Sequence, residues 1–377
     1  MSAVAGAAVG ARPGATGLSV FSPYLGEGTV WQRDVRGSRM PLAAESARMA
    51  AWMGEHSPTP WYPPGSKKPF GPATALNRSV AGTHPIPVYI IDSADPGCPV
   101  AQMRVGAVHG GGAADLEIVS GALPWPEHCE PAGNQDRGLA IWDRRTGIMR
   151  EWFFVERTGP RAWKAATGGY SIARPGLAGL AETNPGTQLL RGSNAVCCMH
   201  NPLGFIGADE IRRGRIAHAL AFTSANFARG LAPSWPAKMS DGKAPSEQAP
   251  FSPVHGQWAR VSAEVDPEHD PDTGRPYRPL TRLLIRAAQR YGLVGTDTNT
   301  WCHAFNAESG QEARALSGTD PWEDGGELAR ILDPQDPDRA FDVRDFPWHR
   351  TEWAPVDWGR PDPDLNIRPS EYWPHRG

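Results

Sequence analysis

Residues 191–223 read RGSNAVCCMHNPLGFIGADEIRRGRIAHALAFT. The stretch opens as a loop, makes one helical turn that Gly214 stops, and then turns to strand. Over residues 216–223 polarity alternates with period two. Ile216, His218, Leu220 and Phe222 share one face, and Ala217, Ala219, Ala221 and Thr223 the other. A histidine in the apolar row of a strand needs a partner or a task. His218 is therefore the first candidate functional residue.

Working outward, composition supports the same fold class. The chain has 377 residues with 42 Gly, 38 Pro and 15 Trp, which favours short strands joined by turns over long helices. A net charge of −3 gathers no polyanion, so nucleic-acid binding is not expected. Arg282, Arg286 and Arg290, spaced by four, read as the solvated side of an amphipathic helix. No secretion signal is visible before Arg12, and no apolar run is long enough to span a membrane.

Three regions follow. Residues 1–84 comprise an extended arm, a helix over 41–54 with Pro41 in its first turn, and a stiff connector, SPTPWYPPGSKKPFGP. Residues 85–314 carry the strands: 88–92, 101–108, a hairpin of 139–143 with 148–156, and 259–266. A helix at 280–291 ends at Gly292, and 293–296 is expected to pair with 300–307 across a turn at 297–299. Residues 315–377, rich in Asp, Pro and Trp, lack aliphatics for a core of their own and must lie against something. The fold predicted is mainly β: a β-sandwich or jelly-roll-like body with two short helical insertions and extended N- and C-terminal arms.

Common catalytic signatures are missing, and the glycine run 110–112 is read without a following helix. His128 and Cys129 with Cys197, Cys198 and His200 lack zinc-ligand spacing, so thiols and no metal are expected. Residues 266–274 place Asp or Glu at 266, 268, 270 and 272. Tyr277 stands where a calcium loop needs its closing Glu, so a solvated acidic turn is expected instead. No cofactor is expected. Polar residues at strand ends remain: Asp143, Glu151, His218, Asp241, Asp297 and His303. Glycoside hydrolysis would need two carboxyl groups roughly 5–9.5 Å apart.

The ordered landmarks from residue 137 onward carry a resemblance. They run from Ile141-Trp-Asp-Arg-x-x-Gly147 with Trp152 and Phe153, through Trp163 and Arg191-Gly-Ser-Asn194, to Asp209-Glu-Ile211 and Gly214-Arg-Ile-Ala-His218. Ser234-Trp-Pro-Ala237, Ser240-Asp-Gly242, Gln289-Arg-Tyr-Gly292, Asp297 and Trp301 complete the set. Over residues 85–310, and in its N-terminal arm, the chain resembles the minor tail proteins of tailed phages that infect actinobacteria. Those proteins share a domain with uncharacterised secreted bacterial proteins. The chain departs by inserting residues 197–201 where relatives run straight into a Gly-Leu-Pro loop.

The resemblance implies a place at the virion tail tip and engagement of the host envelope, with cell-wall polysaccharide as the expected partner. The coreless ends are expected to find cover on other tail proteins and on sister subunits, as a homo-oligomer. Trp142, Trp163, Trp235 and Trp301 would then be the sugar-stacking candidates. The alternative is a glycan-cleaving hydrolase on the same scaffold, with His218, Asp143, Glu151 and Asp297 lining a groove.

Overall fold

The computed structural model describes residues 30–56, 74–78, 85–108, 113–172, 197, 199, 201–237, 239–247, 249–299, 302–323, 326–330 and 343–360. Along the chain, helix α1 (Ser46–Glu55) precedes strands β1 (Ala75–Asn77), β2 (Val88–Ile91) and β3 (Val100–Val108). Helix α2 (Ala113–Val119) leads to β4 (Gly121–Pro124), β5 (Leu139–Asp143), β6 (Ile148–Phe153), β7 (Glu156–Gly159) and β8 (Ala162–Ile172). Then come helix α3 (Ala208–Arg212), β9 (Leu220–Thr223) and β10 (Trp258–Val261). Helix α4 (Pro279–Arg290), β11 (Leu293–Asp297), β12 (Ala304–Asn306), helix α5 (Gln311–Ser317) and β13 (Thr351–Trp353) follow.

The architecture is mainly β. A six-stranded mixed sheet runs β1-β12-β9-β11-β10-β13, and a seven-stranded one runs β2-β5-β6-β8-β3-β4, with β7 also on β8. The sheets share a sandwich-like core. Val88, Ala140, Trp142 and Met149 of the larger sheet pack in one cluster with Ala221, Trp258 and Val294 of the smaller. Leu220, Phe222, Leu293 and Phe305 point the other way, under Leu280 and Leu284 of α4. The alternation read at 216–223 thus describes the real faces, although only Leu220–Thr223 joins the ladder.

Local chemistry accounts for the elements. Pro279 opens α4, its apolar stripe is buried, and Gly292 ends it at φ +88°. The β5–β6 hairpin closes through Gly147 at φ +72°, whose amide donates to Asp143 O. In the α1 region Pro41 stays outside the helix, which starts five residues later, at Ser46. The glycine run 110–112 lies outside the described residues, but α2 follows it directly, against the expectation of no helix.

One pairing is overturned. β11 and β12 do not form a hairpin, because β9 lies between them, parallel to β11 and antiparallel to β12. A tight turn joins neighbouring antiparallel strands, whereas these two lie roughly 9.6 Å apart, two strand spacings, with β9 between them.

The ends also differ from expectation. Trp31, Val35 and Met40 are buried in the core between the sheets. Trp322, Leu328, Val343, Phe346, Trp348 and Trp353 are buried beneath the smaller sheet. β13 pairs with β10, and the Trp353 amide donates to Ser46 Oγ of α1. What the described residues 315–323, 326–330 and 343–360 lie against is this chain's own body, so their burial requires no sister subunit. The arm over 1–29, the connector at 57–72 and the tail over 361–377 lie outside the described residues.

Candidate functional site

The half-open polar cluster sits at the carboxyl ends of the parallel strands β9 and β11, where open sheets commonly present ligand-binding loops. Asp297 ends β11, opposite Thr223 in the ladder. The Thr298 amide donates to Asp297 Oδ1 at 2.9 Å, and its hydroxyl donates to Asp241 Oδ1 at 2.5 Å. Asn299 Nδ2 donates to Thr223 Oγ1 at 2.6 Å. Two carboxylates are therefore held around one residue, Thr298. Ser240, Asp241, Asp297, Thr298 and Asn299 are all half-buried.

Behind them His255 is sealed from water. Its Nδ1 lies 2.9 Å from Ser240 Oγ and its Nε2 lies 3.3 Å from Thr298 Oγ1. Thr298 spends its proton on Asp241, so Nε2–H donates to Thr298 and Nδ1 accepts from Ser240. Burial pushes the ring down to about 4, with Asp241 pulling weakly the other way. Phe227 stacks on the neutral ring at 4.1 Å.

Two glycines permit this approach. A Cβ on Gly242 would stand 2.0 Å from Ala228 O, and one on Gly256 would stand 2.1 Å from Ser234 O. The loop carrying Ser240 and Asp241 and the turn carrying His255 can close on the strand ends only because both positions lack a side chain.

His218 belongs elsewhere. It is buried at the corner between α3 and β9, with Nε2 at 2.9 Å from Glu210 Oε2 and Nδ1 at 2.7 Å from Ala219 O. Both partners are acceptors, so both ring nitrogens carry protons. Glu210 also accepts the amides of Gly207 and Ala217, which identifies it as a carboxylate. Burial disfavours both charges, yet each overcomes it: His218 is raised and Glu210 is lowered from their usual ranges. This is an internal ion pair, both side chains being buried.

The other candidates occupy separate niches. Asp143 braces a turn by accepting the Ser93 amide and hydroxyl, the Arg145 amide and the Thr146 hydroxyl. Burial raises its pKa, but those bonds outweigh it and hold the carboxyl below its ordinary value. Glu151 is fully buried on β6, in register with Ala140. His303 is buried between Ser224 Oγ at 2.8 Å and Met53 O at 2.9 Å. Of the sequence candidates, Asp241 and Asp297 come together; His218, Asp143 and Glu151 do not join them.

Three of the four tryptophan candidates are corrected. Trp142, Trp163 and Trp235 are 1%, 3% and 2% exposed and have no ring face to offer a sugar. Bringing one out would give back on the order of 4–6 kcal/mol of burial, against about 0.5–1.5 kcal/mol for an aromatic contact. Trp301 lies outside the described residues.

Cys98, Cys129, Cys197 and Cys302 are thiols, and among the described residues no set of three His, Cys, Asp or Glu could hold a metal. Cys198 and His200 lie outside those residues. In the acidic turn, the Asp266 and Asp270 side chains accept nearby amides of their own loop. Among the described residues no helix is long and apolar enough to cross a membrane.

Sequence reading missed Glu210, Ser240, His255 and Thr298 as site-forming residues. Glu210 stood eight positions before His218 in the opening stretch, with a chain reversal at Gly214 between them. Comparison with known proteins finds no matching family model, no similar curated protein and no similar solved structure.

Proposed function

We propose that this chain is a tail-tip protein of a phage virion that engages glycan of the host envelope through the polar cluster at the ends of β9 and β11. The observation that carries this reading is convergence. Residues quoted for the resemblance from distant parts of the chain, Ser240 to Gly242 and Asp297, are drawn together around Thr298. Half-buried carboxylates backed by hydroxyls and an amide side chain are acceptors and donors suited to the hydroxyl groups of a polysaccharide. The virion placement comes from the resemblance; tail partners and self-association come from chain ends without a core of their own, of which the described parts are buried in this chain's own body. Direct polar contacts replace the tryptophan platform that the sequence suggested.

Purified protein should be retained on host cell-wall arabinan or galactan and should copurify with intact particles. The folded Asp241→Asn and Asp297→Asn variants should bind at least about tenfold more weakly, since each loses the charge that strengthens its hydrogen bonds and turns one acceptor into a donor. Retention no greater than that of an unrelated acidic β protein would overturn the reading.

A second reading, glycan cleavage, is favoured by the same two carboxylates sharing Thr298. Wild-type protein would then release oligosaccharide, and either Asp→Asn variant would abolish release with the fold intact. No release from wild type removes that reading and leaves binding.

A further inference from the structure

A second site lies on the larger sheet, away from the cluster around Thr298. A cleft of about 290 Å³ opens between the end of β2, the loop at 126–128 and α5. Its apolar lining includes Ile90, Pro126 and Leu316. Acidic groups outnumber basic ones in its lining: Asp92, Asp95, Glu127 and Glu312 against one guanidinium, Arg144, and one imidazole, His128, with Glu127 also paired to Arg161 outside it.

Glu312 is the informative residue. Its side chain is only 7% exposed, yet it lines the cleft. The Ile90 amide donates to its Oε1 at 3.3 Å, and His128 Nε2 approaches the same oxygen at 3.4 Å. Both contacts are long and both fall on Oε1. Among the described residues no hydrogen bond falls on Oε2, so a sequestered carboxylate keeps acceptor capacity toward the cavity.

The wall is held rigidly. Gln311, one residue earlier on α5, donates through Nε2 to Tyr89 Oη at 3.1 Å and to Glu130 O at 2.8 Å. Leu316, one helical turn beyond Glu312 on the same face of α5, is exposed at the rim.

We propose that this cleft binds a primary ammonium group carried on a short carbon frame, with Glu312 receiving the charge and Ile90, Pro126 and Leu316 covering the frame. An ammonium has three donors and no acceptor, which matches a wall rich in carboxylates. An amino sugar and an aliphatic amine such as a lysine side chain share this chemistry. The proposal does not depend on the glycan reading of the other site.

The test is titration of the full chain at about pH 6, where an alkylamine is charged, followed by NMR shifts or calorimetry. The probes are glucosamine, N-acetylglucosamine and Nα-acetyl-lysinamide. At least one amine should saturate, and N-acetylglucosamine should bind at least about tenfold more weakly, because its nitrogen carries no charge. Glucosamine alone binding identifies the amino-sugar source, and the lysine derivative alone identifies the aliphatic one; either supports the proposal.

Glu312→Gln should lose the preference for charge. Leu316→Arg, at the exposed rim, should weaken amine binding by repulsion and decides the matter if the Glu312 variant does not fold. The proposal falls if no amine saturates, if the acetylated sugar binds as tightly as the amine, or if both folded variants bind like wild type.

Discussion

His218, at the corner of α3, and His255, behind the ends of β9 and β11, are equally sealed from water, yet they carry opposite charge states. His218 faces two acceptors, one of them the Glu210 carboxylate, and is held protonated. His255 faces two hydroxyls and is held neutral, as is His303 between a serine hydroxyl and a carbonyl. Burial is common to all three, so the partner decides. The same contrast separates two glutamates at the start of α3. Glu210 accepts the Gly207 amide as a carboxylate, whereas Glu308 accepts the Ala208 amide and burial raises its pKa well above the ordinary value.

The largest test of this contrast is Glu210→Gln. It leaves a protonated ring buried without a counter-charge and should cost about 3–5 kcal/mol in chemical denaturation. Replacing Glu210 and His218 together with apolar residues should recover much of that loss. A small effect of the single change would mean that the pair is not ionised.

The next test is the pH profile. His255 and His303 sit at about 4 in the fold against 6.5 when unfolded. The unfolded chain therefore binds the extra protons between those values, and stability falls as pH drops from 6.5 toward 4. Each ring contributes a slope of about 1.4 kcal/mol per pH unit, and His255→Asn should remove one of the two. His218 has the opposite sign. Its contribution is full below 6.5 and fades as pH rises through its raised value. That of Glu210 is full above 4.5 and fades as pH falls through its lowered value. An unchanged slope in the His255 variant would show that this ring titrates normally.

The smallest effect is expected from Glu308→Gln. A protonated acid and an amide present the same acceptor to Ala208, so the melting temperature at neutral pH should hold or rise. Because the pKa is raised, the neutral form is favoured and its contribution is lost as pH increases; the amide removes that loss. A destabilisation above about 1 kcal/mol would place a charge on Glu308.

Much of the fold was legible where signals are local. The Asp143–Gly147 turn, the alternation at 216–223 and the stripe of α4 each announce themselves within a dozen residues. Non-local features were not. β8, AWKAATGGYSI, has no clean alternation, and Gly168 lies under Trp152 and Val119 where a Cβ would meet them at 3.1 Å. Its parallel partner β3 is some sixty residues away, and no turn chemistry encodes that pairing. The strand-end cluster was half legible. Asp241 and Asp297 were candidates for their strand-end positions, but nothing local ties Thr298 to Asp241 or His255 to Ser240. His218 drew attention for the right reason, a titratable ring in an apolar row, and its task is to neutralise Glu210.

β13 has a consequence for biosynthesis. Helix α1 leaves the ribosome early, but the strand that caps it and closes the sheet edge is not translated until residue 353. Until then the backbone of β10 stands open along one side and the methionines of α1 lack their tryptophan cover. The open side of β10 persists from its own synthesis at residue 261 until β13 emerges, and the apolar face of α1 waits longer still. A stop codon anywhere before position 343 should yield inclusion bodies rather than a shorter working protein.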